Sequence, residues 1–213
     1  MMTKKIFEAM CISAKTPNDI RTIVQVVVRS MEDYEYDIAL EFCAKRFYNT
    51  HVGWALPTPQ VCDLVVKFWK LHASSKVVDM GCGSGLFCLM LHDCGIPKDK
   101  LLALETKVPP KTHQTTNVFW DIVRDDEYEI DTDDIAFVAW GSGISKRLQS
   151  YVERGGKYVI ILGETGDGCT FPSDWLKDNK EWDCTLTHVQ GPASNFAEHL
   201  SINVRKVGRV LET

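Results

Sequence analysis

The chain has 213 residues, a formal net charge of −5, 45% hydrophobic and 25% charged residues. A chain this long buries roughly 70% of its unfolded surface, so its core needs no covalent or metal staples, and the composition excludes disordered and fibrous classes. No apolar run approaches the ~18 residues of a membrane span, and the acidic balance disfavours a surface built mainly for phosphates, a local basic patch aside.

The first fifteen residues hold lysines and a broken apolar stretch, which predicts no signal peptide. Residues 16–32 read as a helix: Thr16 can cap it, Pro17 suits the first turn, and Ile20, Ile23, Val24, Val27, Val28 and Met31 recur at helical spacing. A second helix is expected over 37–48, with Ala39, Phe42, Cys43 and Phe47 on one stripe, then a loop over 51–59. Thr58 and Pro59 open a third helix that should turn Val61, Leu64, Val65, Phe68, Leu71 and His72 inward.

From residue 76 the rhythm changes to short apolar strands alternating with helices. Strands are expected at 76–81, 101–105, 117–122, 135–140 and 157–164, with a helix over 85–95 and another around Ile144, Leu148, Tyr151 and Val152. That helix closes at Gly155–Gly156. Pro109 and Pro110 shorten or abolish the helix after the second strand. A short helix near 172–180 precedes two strands, 182–189 and 199–207, whose alternation suits an antiparallel pair. The order implies an α/β fold with a mostly parallel sheet covered on both faces. Ligands of such sheets bind beyond the carboxyl ends of the strands. Residues 125–134, DDEYEIDTDD, read as a solvated acidic loop, or else as a rim that repels anions or docks a cation.

The motif that carries a function is VVDMGCGSG, residues 77–85. A strand enters a loop with Gly81, Gly83 and Gly85, and a helix leaves it. Glycine lets a ligand approach the backbone and lets the turn take unusual dihedrals, while the amides at the helix start favour an anionic group. A dinucleotide-binding loop would read Gly-x-Gly-x-x-Gly, but Leu86 stands where its last glycine would be. Asp79 before the loop could reach an amino group or fix the loop. Glu105, ending the second strand, could accept hydrogen bonds from two ribose hydroxyls.

With these residues the chain resembles the Rossmann-like, S-adenosylmethionine-dependent methyltransferases over about residues 52–207. It also resembles a narrower, largely uncharacterised methyltransferase-like family through GWALPTP (53–59), VVDMGCGSG, FVAWG (137–141) and ILGETGDGCT (161–170). The resemblance implies a seven-stranded sheet with an antiparallel last strand. It implies S-adenosylmethionine as cofactor, S-adenosylhomocysteine as product, and contacts from Asp79, Gly81, Cys82, Gly83, Gly85, Glu105, Trp120 and Asp121. The narrower family has Trp-Pro-Pro after the fourth strand, where this chain has Trp140-Gly141-Ser142.

Residues 1–58 form a helical extension and lid segment, and 59–213 the cofactor-binding domain. Trp54 either lids the cofactor, its face attracting the sulfonium, or anchors the extension. Trp140 and Glu164 are the candidate catalytic residues: Trp140 could stack on an acceptor or wall off water, and Glu164 could orient an acceptor or take a proton. Cys169 and Thr170 lie in the same loop. His51 and His113 are weaker bases, and Cys82 is a small filler of the loop rather than a nucleophile. The eight cysteines form no Cys-x-x-Cys pair. Free thiols in a reducing compartment fit them, which places the protein in the cytosol. Cys88, His92 and Cys94 lack a second ligand pair at zinc spacing, so no metal is expected.

The expected function is methyl transfer to a small-molecule or protein acceptor. A non-catalytic cofactor-binding or scaffold subunit is the alternative. RNA or DNA methylation ranks third, since the Pro-Pro-Tyr or Pro-Pro-Phe pattern of base amino-methyltransferases is missing after the fourth strand.

Overall fold

The computed structural model describes residues 4–32, 48–53, 55–106, 117–140, 146–164, 180–189 and 198–206. Helices α1 (Lys4–Ser13) and α2 (Pro17–Glu32) come first. A helical turn over 48–51 and helix α3 (Pro59–Leu71) lead into the sheet. Then follow β1 (Val77–Met80), α4 (Leu86–Asp93), β2 (Leu101–Glu105), β3 (Ile122–Arg124), β4 (Ile135–Ala139), α5 (Lys146–Glu153), β5 (Tyr158–Glu164), β6 (Trp182–Val189) and β7 (Glu198–Arg205). The seven strands lie in the order β3-β2-β1-β4-β5-β7-β6. Neighbours through β5 are parallel, and β7 runs antiparallel to both β5 and β6. This is a Rossmann-like α/β sheet, parallel but for its antiparallel end. Its order reverses between β1 and β4, the switch point at which α/β sheets bind ligands.

Strand periodicity explains why the central strands are apolar throughout. Val77, Ile135, Phe137, Ile160 and Leu162 join the core on one face of the sheet. Val78, Ala136, Val138, Val159 and Ile161 join the core on the other. The first core takes in α3 and α4, and also Phe7, Cys11, Ile20 and Ile23 of the first two helices. The second is closed by Leu148 and Tyr151 of α5. Both faces of the strands are therefore buried. Among the described residues no helix is long and apolar enough to cross a membrane.

The sequence expectations meet several corrections. Helix α1 was not anticipated; it turns Phe7 and Cys11 inward, one helical turn apart. Thr16 does cap α2, in a reciprocal pair: Asp19 N–H donates to Thr16 Oγ1 at 3.2 Å and Thr16 N–H to Asp19 Oδ2 at 2.8 Å. Thr58 caps α3, accepting from Val61 N–H at 3.3 Å. Leu71, expected inward, is 78% exposed, because the helix ends there and His72 leaves helical geometry. Trp69 is buried instead and donates its indole N–H to the Ser75 carbonyl at 3.1 Å.

The third strand was expected at 117–122 but lies at 122–124. The residues before it are committed elsewhere: Asn117 Nδ2 donates to the Cys11 carbonyl at 2.9 Å, and Phe119 N–H donates to the Ser84 carbonyl at 2.8 Å. The acidic stretch is paired as well as solvated. Arg124 bonds Asp126, Arg154 bonds Glu129, and Lys157 meets Asp133. Asp134 is buried. All but Lys180 of the helix expected at 172–180, and all but Tyr48 of that expected at 37–48, lie outside the described residues.

Candidate functional site

The glycine loop turns across the end of β2: Gly81 and Cys82 N–H both donate to the Leu104 carbonyl, at 2.9 and 3.0 Å. Gly81, Gly83 and Gly85 have φ of +76°, +54° and +73°, the left-handed region that side chains resist. The three do different work. A Cβ on Gly81 or Gly83 would meet nothing within 4 Å, so these two face open space. A Cβ on Gly85 would sit 2.6 Å from Trp120 Cβ. Gly85 is thus the packing glycine, and it also starts α4 as an N-cap without a side-chain bond.

The loop floors a cavity of about 150 Å³ at the sheet's switch point. One end is polar: Asp79, Gly81, Gly83, Ser84 and Glu105 line it. The other is apolar, with Gly53, Ala55, Leu86, Phe87, Ala139 and Trp140. Asp79 is 2% exposed. No described residue donates a hydrogen bond to its carboxylate. Burial, and then the charge of Glu105, push its pKa up to about 8. Glu105 is better satisfied. Its Oε2 accepts from Gly83 N–H at 3.0 Å, and its Oε1 from the Thr106 N–H and hydroxyl at 2.9 and 3.0 Å. The site therefore holds two carboxylates and, among its described lining residues, no cation.

The segment before α3 is tied to the loop. Ser84 donates its hydroxyl to the Val52 carbonyl at 2.8 Å, and Tyr48 donates to the Ala55 carbonyl at 2.6 Å. A Cβ on Gly53 would sit 3.0 Å from Leu86 Cδ2. These bonds bring Gly53 and Ala55 over the cavity. Across from them Trp140 leaves β4 with φ of +54°, the one described non-glycine residue at positive φ. Its N–H donates to the Leu162 carbonyl at 2.8 Å. Such a backbone costs on the order of 1–2 kcal/mol, and it sits at the cavity wall.

Of the residues singled out by sequence, the structure brings Asp79, Gly81, Cys82, Gly83, Glu105 and Trp140 together around the cavity. Trp120 and Asp121 are elsewhere. Trp120 packs behind Gly85, edge-on to His92, with the Lys98 ammonium over its ring. The Asp121 carboxylate is 86% exposed and paired with Lys98 at 3.0 Å. Their placement has a physical cause: both residues follow Phe119, whose bond to Ser84 holds this loop at the back of the glycine turn. The Cys82 thiol is pushed up by burial and then by Asp79 and Glu105, which leaves it unreactive. Glu164 ends β5, registered against Glu198 of β7. Trp54, His113, Cys169, Thr170 and the side chain of Glu164 lie outside the described residues. Ser84, Gly53, Ala55, Leu86, Phe87 and Ala139 were missed as lining residues. Ser84 stands inside the 77–85 motif and Gly53 and Ala55 inside GWALPTP, so those three carried a signal; Leu86 and Phe87 read only as core.

No family model matches the chain, and no curated protein sequence does. Among solved structures it is similar to precorrin-6y C5,15-methyltransferase from Geobacter metallireducens GS-15, with 15% identity over 70% of this chain and 90% of that one and a TM-score of 0.48. It is also similar to an O-methyltransferase from Bacillus cereus in complex with SAH, with 8% identity over 87% of this chain and 91% of that one and a TM-score of 0.48.

Proposed function

We propose that the protein is an S-adenosylmethionine-dependent methyltransferase acting on a small-molecule or protein acceptor. The observation that carries this reading is Asp79: a carboxylate buried at the switch point, without a described donor, beside a second carboxylate and an open glycine turn. A cationic ligand relieves that arrangement, and the ligand must also offer groups for backbone amides and for Glu105. S-adenosylmethionine fits these groups. Asp79 would hold its amino group, Glu105 its ribose hydroxyls, and the loop from Gly81 to Gly85 its carboxylate. When bound, it supplies an electrophilic methyl group on a sulfonium.

The remaining work belongs to the chain. Leu86, Phe87, Ala55 and the Trp140 indole make the apolar end of the cavity, where they exclude water and fix the acceptor's approach. Alignment of this kind is worth ~7–11 kcal/mol in the best cases. A general base is required only for an acceptor protonated at working pH. The ionisable groups among the described lining residues, Asp79, Cys82 and Glu105, all lie at the cofactor end.

A second reading, a cofactor-binding subunit that depends on a partner for its acceptor, draws on the same observation. Transfer of label from S-[methyl-³H]adenosylmethionine by the purified protein to small-molecule and protein pools decides between them. Methylated product supports the enzyme. Tight cofactor binding without product from any pool supports the subunit, and absence of cofactor binding removes both.

A further inference from the structure

The sheet ends in β3 on one side and β6 on the other. β3 has three residues and β6 eight. β7 alternates its backbone bonds between its neighbours: Arg205 N–H donates to the Lys157 carbonyl beside β5, and Lys206 N–H to the Glu181 carbonyl beside β6. Through the β6–β7 register, Asp183, Thr185 and Thr187 therefore turn their backbone groups inward to β7. Trp182, Cys184, Leu186 and His188 turn theirs outward. α3 closes one end of that row, where Gln60 Nε2 donates to the His188 carbonyl at 3.3 Å. The outward backbone groups of Trp182, Cys184 and Leu186 have no partner among the described residues.

Proteins protect such an edge with lysine, proline, a bulge or a covering element. Between Trp182 and Val189 there is no lysine, proline or glycine, and the register with β7 runs without a bulge. The one formal charge, on Asp183, is held by Lys206 Nζ at 3.3 Å. Leu186 is 48% exposed, and Cys184, on the same face of the strand, is exposed as well. The open row is symmetric about Cys184, and that symmetry decides what fits it. A second copy related by a two-fold axis offers the same three residues in the antiparallel sense, so the two rows match group for group.

We propose that β6 pairs with β6 of a second copy of this chain, antiparallel and two-fold about Cys184, joining two sheets edge to edge. Trp182 then faces the second copy's Leu186, Cys184 faces its own counterpart, and Asp183 faces the second copy's Thr185. The outward pairs supply about six backbone hydrogen bonds, two for each pair. Charge and the Gln60 contact set the register. An axis through Asp183 would put two carboxylates directly opposite. An axis through Thr185 would bring in the His188 carbonyl, which Gln60 already holds. Pairing along Trp182–Leu186 buries much less than the ~1,200–2,000 Å² of a stable interface, so the dimer is weak and depends on concentration. β6 runs parallel to β5, so the two cavities open at opposite rims of the joined sheet and neither blocks the other.

The test is sedimentation velocity of the full chain at rising concentration, with cross-linking by a short bis-maleimide and peptide mapping of the product. The expected result is a monomer below about 1 µM and mostly dimer above about 100 µM. The cross-linked dimer should be joined Cys184 to Cys184, because the Cα atoms of such a facing pair lie about 5.5 Å apart. Two charge variants at the exposed Thr185 read the register. Thr185→Asp sets a carboxylate opposite the second copy's Asp183 and should weaken the dimer about tenfold. Thr185→Lys sets a cation there and should tighten it severalfold. Circular dichroism checks that both variants keep the parent's fold. A monomer at every concentration would overturn the proposal. So would a dimer that cross-links through other cysteines and not through Cys184, or one whose affinity the folded Thr185 variants leave unchanged or shift in the same direction.

Discussion

The two ends of the central strands each bury a carboxylate, and they treat it oppositely. At the amino end, Asp134 accepts from Lys76 N–H at 2.9 Å and from Asp131 N–H at 3.3 Å. Beside it the Tyr151 hydroxyl donates to the Asp134 carbonyl at 2.7 Å and accepts from the N–H groups of Lys157 and Tyr158 at 3.0 and 3.1 Å. Every polar group named there has a partner inside the protein. At the carboxyl end, Asp79 is buried more deeply and has no described donor, and Trp140 holds a left-handed backbone. Buried polar groups without partners are costly. The amino end spends its polar groups on stability, and the carboxyl end keeps one in reserve for a ligand.

Variants that break this contrast should differ in what they damage. The largest stability loss is expected for Gly156→Ala, whose Cβ would fall 2.3 Å from the Tyr151 ring. About 3 kcal/mol is anticipated from urea unfolding, with ligand affinity of the folded fraction unchanged. Tyr151→Phe removes the hydroxyl that joins β4, β5 and α5 and should cost about 1–3 kcal/mol, again without effect on affinity. Gly83→Ala should cost only about 1 kcal/mol, the left-handed penalty, since nothing crowds its Cβ. Calorimetry should nonetheless show a large affinity loss, because the methyl group enters the ligand's space. Equal damage to affinity in Gly156→Ala and Gly83→Ala would erase the distinction between the two ends.

Asp79→Asn sharpens the contrast through pH. The folded pKa of Asp79 lies at about 8, above the ordinary 3.8. The folded state therefore holds a proton that the unfolded chain has lost between those values, and the parent's stability from this group falls as pH rises from about 4 to about 8. The Asn variant lacks that fall. Relative to the parent it should gain stability across this window and level off above it, as read from unfolding midpoints at successive pH values. A flat difference across the window would mean that Asp79 carries no desolvated charge.

Much of this was legible in the sequence for physical reasons. Short continuous apolar runs and the Gly-x-Gly-x-Gly turn fix the sheet and its loop locally, so Asp79, Gly81, Gly83 and Glu105 could be placed from neighbours in the chain. What could not be read depends on distant pairings. The third strand shifted because Asn117 reaches α1 and Phe119 reaches Ser84, contacts more than thirty residues apart in sequence. The same contacts carried Trp120 and Asp121 behind the loop. Leu86 and Phe87 follow a helical apolar pattern whether they face core or cavity, and periodicity does not distinguish these. Helix α1 has only Phe7 and Cys11 turned fully inward, too few for a pattern to stand out.

The most direct test of the central claim is titration calorimetry of the parent and Asp79→Asn with S-adenosylhomocysteine at pH 7, in two buffers of different ionisation enthalpy. The account predicts micromolar binding by the parent with close to one proton released, as Asp79 ionises against the ligand's amino group. It predicts that both the affinity and the proton release are lost in Asp79→Asn. Binding of equal strength in the variant, or binding by the parent without proton release, would contradict it.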